Sequence, residues 1–220
     1  MNKSRIFFTL TVMFITFEGI DYSGKSTQAN LLAEILRRQG NNVLLLREPG
    51  GTAVSERIRE ILLDKQYPEM TQRAELLLFS AARTQLVSQV IRPALNSETI
   101  VICDRFYDSS TAYQGYGRGL NLPDVMALNS FATDGTRPDL TFLVDVTVDE
   151  IARRRKSAGL SADRMESAGR EFFEKVRDGY RQIAQMERSR CVVVNGMQPV
   201  DAIHAQIWST VQSRLSYSGA

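Results

Sequence analysis

The chain has 220 residues, 43% of them apolar and 24% charged, with a formal net charge of +2. That length suits one α/β domain with a generous core, and the composition is ordinary for a globular fold. The charge is too small to argue for a nucleic-acid or membrane partner. Two cysteines, Cys103 and Cys191, are too few for a disulfide scaffold. Each borders a Val/Ile-rich run and is expected to be a small core residue in a reducing cytoplasm.

The stretch 6–17 is mostly apolar and follows Lys3 and Arg5. It is too short to span a bilayer as a helix, and it enters a glycine-rich loop with no small-residue cleavage site between. The first strand is therefore expected over 13–17. Residues 1–12 are expected to be an extension without catalytic consequence, with Met13 a second possible start. Gly19-Ile20-Asp21-Tyr22-Ser23-Gly24-Lys25-Ser26 fits G-x-x-x-x-G-K-[ST], and a helical pattern over 25–38 takes in Thr27. A phosphate chain needs close approach of bare backbone N–H groups, which Gly19 and Gly24 allow. It also needs a helix N-terminus, a cation at the outer phosphates (Lys25) and a hydroxyl for Mg²⁺ (Ser26). Residues 19–27 are thus expected to bind a nucleotide.

Apolar runs then alternate with amphipathic segments. Strands are expected at 42–46, 99–103, 140–145 and 191–195, and helices at 53–63, 71–89, 124–132, 148–156, 170–188 and 199–214. This alternation predicts a parallel sheet flanked by helices, with ligands beyond the carboxyl ends of the strands. The strand at 99–103 ends in Asp104, where a phosphate-loop enzyme places a carboxylate beside Mg²⁺. Arg105 behind it adds anion handling.

The motifs together resemble the thymidylate kinase family. They are Phe17-Glu18-Gly19-Ile20-Asp21, Arg47-Glu48-Pro49-Gly50-Gly51-Thr52, Leu78-Phe79-Ser80-Ala81-Ala82-Arg83, Asp104-Arg105-Phe106 with Ser109-Ser110, Ala112-Tyr113-Gln114-Gly115, Arg137-Pro138-Asp139-Leu140-Thr141 and Asp163-Arg164-Met165-Glu166. The likeness runs in order from residue 13 to about 215. It implies a P-loop fold with a five-stranded parallel sheet flanked by helices on both faces and a small basic lid at about 153–166, with a tail at 216–220. It further implies a cytoplasmic homodimer that moves the γ-phosphoryl group of ATP, with Mg²⁺ held at Ser26 and Asp104, onto dTMP for dTTP synthesis. Another nucleotide or nucleoside kinase, or a non-catalytic ATP-dependent switch, remains the alternative.

The resemblance also assigns roles. Arg47, Arg59 and Arg105 would hold the acceptor phosphate, for which the guanidinium fork is suited. Asp21, Glu48 and Pro49 would line the acceptor pocket beside them. Phe79 and Arg83 lie four apart on one helix face. By pattern alone Phe79 is a core residue, but the resemblance makes it the ring that stacks on thymine, with Arg83 at the O4 edge. Ser110 and Gln114 would face the base and its N3–H, and Tyr113 the deoxyribose. Tyr22 occupies the loop position where some relatives carry a catalytic arginine. This chain therefore resembles the group that supplies the arginine from the lid, with Arg153 or Arg155 and Arg164 as candidates.

Overall fold

A computed structural model describes residues 12–158, 164–165 and 169–217. The extension, apart from residue 12, lies outside the described residues. So do 159–163 and 166 of the expected lid, including Asp163 and Glu166, and the tail residues 218–220.

Five parallel strands form one sheet: β1 (Phe14–Glu18), β2 (Val43–Arg47), β3 (Ile100–Asp104), β4 (Leu140–Asp145) and β5 (Cys191–Asn195), in the order β2-β3-β1-β4-β5. β1 is central and every residue in it is buried, the signature of a parallel strand covered on both faces. Helices α1 (Lys25–Arg38), α2 (Ala53–Leu63) and α3 (Gln72–Leu86) begin the cover. α1 buries Ala29, Leu32, Ala33 and Leu36, one apolar stripe at helical spacing. The side chains of Thr52 and Thr71 cap α2 and α3 by accepting from the backbone N–H groups of Ser55 and Ala74.

Four strand and helix ranges agree with the sequence expectation to the residue: β4, β5, α1 and α2. β1, β2 and β3 each begin and end one residue later than expected. In each case the added residue is charged (Glu18, Arg47, Asp104). The expected helix 71–89 continues further, through a π-helical turn at Val87–Ile91 into α4 (Arg92–Asn96). Pro93 sits in the first turn of α4. It has no N–H to give to the preceding turn, and the wider turn absorbs that loss.

A helix after β3 was not expected. α5 (Tyr107–Ser110) runs into a π-helical segment, Thr111–Gly117. Its glycines disfavour a helix by propensity, but packing requires them. A Cβ on Gly117 would lie 2.7 Å from the Phe172 ring, and one on Gly115 would lie 2.6 Å from Leu122. The remaining cover is α6 (Leu122–Thr133), α7 (Val148–Ala158), α8 (Arg170–Met186) and α9 (Val200–Tyr217). Cys103 and Cys191 are buried and unbridged, as expected. No helix among the described residues is long and apolar enough to cross a membrane.

Candidate active site

The loop 19–24 leaves the C-terminal end of β1 and feeds α1. Gly19 (φ +141) and Gly24 (φ +98) hold backbone conformations that side chains rarely adopt, and a Cβ on Gly19 would lie 2.6 Å from the Val144 carbonyl oxygen. No side chain caps the N-terminus of α1, so its orphan N–H groups stay available to an anion. Gly24, Lys25, Ser26 and Thr27 line a cleft here together with Asp21, Tyr22 and Arg154.

Pairing of β1 with β3 sets Phe17 opposite Asp104, so Asp104 stands beside the loop. The Ser26 hydroxyl donates to Asp104 Oδ2, while Asp104 Oδ1 is buried without a partner. A hydroxyl and a carboxylate with an unspent oxygen fit Mg²⁺. That ion typically takes one or two protein oxygens and completes its shell with water and phosphate. Correspondingly, the described residues contain no dedicated cluster of three or more metal-ligating side chains.

Arg105 follows β3 with φ +74, a left-handed turn that sends its guanidinium back under the loop. It donates to the Gly19 carbonyl (3.0 Å), Ser109 (3.1 Å), Tyr180 (3.0 Å), Asp21 (2.5 Å) and Tyr113 (3.1 Å). Tyr113 in turn donates to the other Asp21 oxygen at 2.9 Å. Burial opposes ionisation of Asp21, but Arg105 and Lys25 outweigh it and hold the carboxyl well below the usual range. For Lys25, burial with Arg105 alongside lowers the ammonium below its ordinary value.

Behind Arg105 lies Glu18, whose importance was not legible in the sequence. Its carboxyl accepts from the Phe106 N–H (2.7 Å), Ser109 (2.6 Å) and Tyr180 (2.9 Å). Burial, aided by the nearby Asp108 charge, pushes it up to about 7. Tyr180 also escaped notice. It comes from α8, 162 residues away in the chain.

Across Asp21 and Arg105 from the loop opens a second cavity. Glu48, Pro49, Arg59, Phe79, Tyr113 and Gln114 line it, with Met165 of the expected lid. The Pro49 carbonyl accepts from both Arg47 (2.8 Å) and Arg59 (3.1 Å), which holds the two guanidiniums side by side. Arg47 is half exposed and pairs with Glu56 at 2.9 Å. Arg83 and Ser110 do not line the cavity. Arg83 is buried behind it and donates to Glu48 (2.8 Å), Ser110 (3.1 Å) and Asn129 (3.2 Å). Burial lifts the Glu48 carboxyl to about 7 against the pull of Arg83, and its Oε1 has no partner.

The candidate lid arginines separate. Arg153 is 70% exposed and pairs with Glu150. Arg155 lines a cavity with Asp21, Tyr22 and Phe173. Arg164 donates to the Leu62 carbonyl (2.7 Å) and pairs with buried Glu75 (2.7 Å). Arg154, not singled out from the sequence, touches the loop. It donates to the carbonyls of Tyr22 (3.2 Å), Ser23 (3.1 Å) and Gly196 (2.8 Å), and Glu150 orients it at 2.7 Å. The Glu150/Arg154 spacing of four was the available signal.

The thymidylate kinase family model matches residues 17–207. The chain is 47% identical over 209 residues to a thymidylate kinase of Chlorobaculum parvum, covering 91% of this chain and 96% of that one. It is 48% identical over 195 residues to one of Kosmotoga olearia, covering 89% and 93%. Among solved structures, a thymidylate kinase of Ehrlichia chaffeensis superposes with a TM-score of 0.75 at 39% identity, covering 92% of this chain and 99% of that one.

Proposed function

The chain belongs to the thymidylate kinase family, and on that premise we propose how its residues phosphorylate dTMP. The enzyme is an ATP:dTMP phosphotransferase that releases ADP and dTDP. The observation that carries the assignment of roles is the adjacency of two clefts on either side of Asp21 and Arg105. One is built for a polyphosphate and the other for a smaller ligand with an aromatic face.

ATP binds with its phosphates on the backbone of 19–27 and on Lys25. Ser26 and Asp104 would hold Mg²⁺, which when bound neutralises phosphate charge. The dTMP phosphate meets Arg47, Arg59 and Arg105, and the thymine ring lies on Phe79 with Gln114 at its N3–H. Arg83 and Ser110 act through Glu48 and the pocket floor, as their buried contacts support. Asp21 and Tyr113 stand between sugar and loop. Transfer is direct and in line, so catalysis consists of positioning the two anions and cancelling their repulsion. Arg154 joins Arg153, Arg155 and Arg164 as a source of the lid guanidinium, favoured by its contacts with the phosphate loop.

The protein acts as a homodimer through α3 and α6. This is supported by large apolar side chains that these packed helices leave to solvent: Leu77 (57% exposed), Met126 (55%) and Phe131 (80%). A cytoplasmic setting fits the two unbridged cysteines.

The test is product analysis with Mg²⁺-ATP and dTMP, dUMP, dCMP or AMP as acceptor, beside a Phe79→Ala variant. Preference for AMP or dCMP would overturn the assignment of the acceptor site. dUMP should turn over appreciably, because one methyl group is worth only ~1–3 kcal/mol in a fitted pocket.

A further inference from the structure

Glu75 is 1% exposed on the face of α3 that also carries Phe79 and Arg83. A carboxylate so deep in a helix face needs partners, and it has three. Oε1 accepts from Gln114 Nε2 at 2.9 Å and Arg118 Nε at 3.2 Å, while Oε2 accepts from a second Arg118 nitrogen at 3.2 Å and from Arg164 at 2.7 Å. Burial opposes its ionisation, but the Gln114 and Arg118 hydrogen bonds outweigh it and hold the carboxyl below its ordinary range. Glu75 is therefore a pure acceptor at neutral pH.

That fact decides a point that side-chain shape leaves open. The two ends of a carboxamide are nearly identical in outline and opposite in hydrogen bonding. Gln114 lines the acceptor cavity and is itself 1% exposed. With its NH₂ end committed to a carboxylate, its carbonyl oxygen is the end left to the cavity. We propose that Glu75 is a specificity-determining positioning residue: by claiming the Gln114 amide nitrogen it presents a fixed carbonyl to the base and selects pyrimidines that carry a proton on N3 over cytosine. The inference rests on the acceptor assignment above and adds to it the reason the site reads N3 in one sense only. Thymine and uracil donate from N3. Cytosine offers a lone pair there, and two buried acceptors facing each other leave both unpaired. Arg118 and Arg164 are part of the device, since they keep Glu75 charged. Arg118 is itself held 4.5 Å over the Phe172 ring.

In Glu75→Gln the single remaining oxygen is drawn to the two guanidiniums, and the new NH₂ is left toward Gln114. Gln114 must then turn over to accept from it, which puts its own NH₂ in the cavity. The experiment measures kcat/KM for dTMP and dCMP in the unaltered enzyme, Glu75→Gln, Gln114→Leu and the double variant, with folding followed by circular dichroism. The dTMP/dCMP ratio should fall at least about tenfold in Glu75→Gln, with the dCMP value rising in absolute terms. In the Gln114→Leu background the second substitution should leave the ratio unchanged. A purely structural role would lower both substrates together; a ratio within twofold of the unaltered enzyme overturns the inference.

Should Glu75→Gln not fold, the unaltered enzyme still decides. With labelled Gln114, dTMP should move the side-chain carbonyl carbon resonance and leave Nε2 in place, and the reverse pattern overturns the proposal. An unaltered enzyme that itself prefers dCMP refutes the acceptor assignment instead, so the two failures are distinguishable.

Discussion

Arg154→Met separates two ways in which a cation at the phosphate loop can act. The guanidinium spends three contacts on carbonyls of Tyr22, Ser23 and Gly196, and is oriented by Glu150. Hydrogen bonds to a charged group contribute ~1.5–3 kcal/mol each when well desolvated. The side chain is 28% exposed, so water replaces part of each contact and about 1 kcal/mol apiece is the reasonable figure. Losing the set should loosen the loop by about 3 kcal/mol, which is roughly a hundredfold in kcat/KM for ATP. Methionine keeps most of the aliphatic packing, so the fold should survive. The assay is ADP release coupled to NADH oxidation, with ATP varied at saturating dTMP. If Arg154 only orders the loop, KM for ATP rises and kcat stays within about tenfold. If it also reaches the moving phosphoryl group, kcat itself falls by about 10³–10⁵. Both constants within threefold of the unaltered enzyme would refute the reasoning.

Other expectations follow from the same contacts. Asp104→Ala should raise the Mg²⁺ concentration for half-maximal rate at least about tenfold, and chelation of the metal should abolish turnover. A magnesium titration that overlays the unaltered enzyme would reject the assignment. Glu18 is held at about 7 in the folded protein against 4.5 as a free carboxyl. The folded state therefore keeps its proton longer than the unfolded chain, and Glu18 favours folding most below pH 4.5. That contribution is lost as pH rises to 7, on the order of 3 kcal/mol in all. Glu18→Gln should flatten the fall in melting temperature between pH 5 and pH 7.5, and parallel pH profiles would count against this. The proposed dimer should show twice the chain mass in light scattering and Phe131→Glu the mass of one chain, and equal masses for the two would reject an interface through α3 and α6.

Sequence periodicity was a good guide to the sheet and to the helices that cover it, because both obey simple apolar patterns. It failed at residues where polarity and burial conflict. β1, β2 and β3 each run on to a charged residue, Glu18, Arg47 and Asp104, one position past the expected end. The helix containing Tyr107 and Gly117 was hidden by its glycines, of which Gly115 makes room for nearby Leu122 and Gly117 for Phe172, a partner far along the chain. The phosphate loop and Asp104 were legible as local spacing. The partnership of Glu18 with Tyr180, or of Arg154 with the Gly196 carbonyl, was not, since neither member hints at the other in sequence. Glu75 could have been suspected. It sits four residues before Phe79 on a face otherwise destined for the interior.

The groups proposed to act at the transferred phosphoryl and those proposed to read the base stand at different places in the fold. Asp104 and Arg105 stand at the C-terminal end of β3, and Lys25 and Ser26 open α1 directly after the loop from β1, whereas Glu75 and Phe79 project from α3 and Gln114 from the segment Thr111–Gly117. Evolution, or a designer assembling a library, can thus rewrite which nucleobase is accepted by repacking two helices and leave the chemistry of transfer intact. Altered-substrate variants should be found among substitutions on α3 and in the segment 111–117, not on the strands.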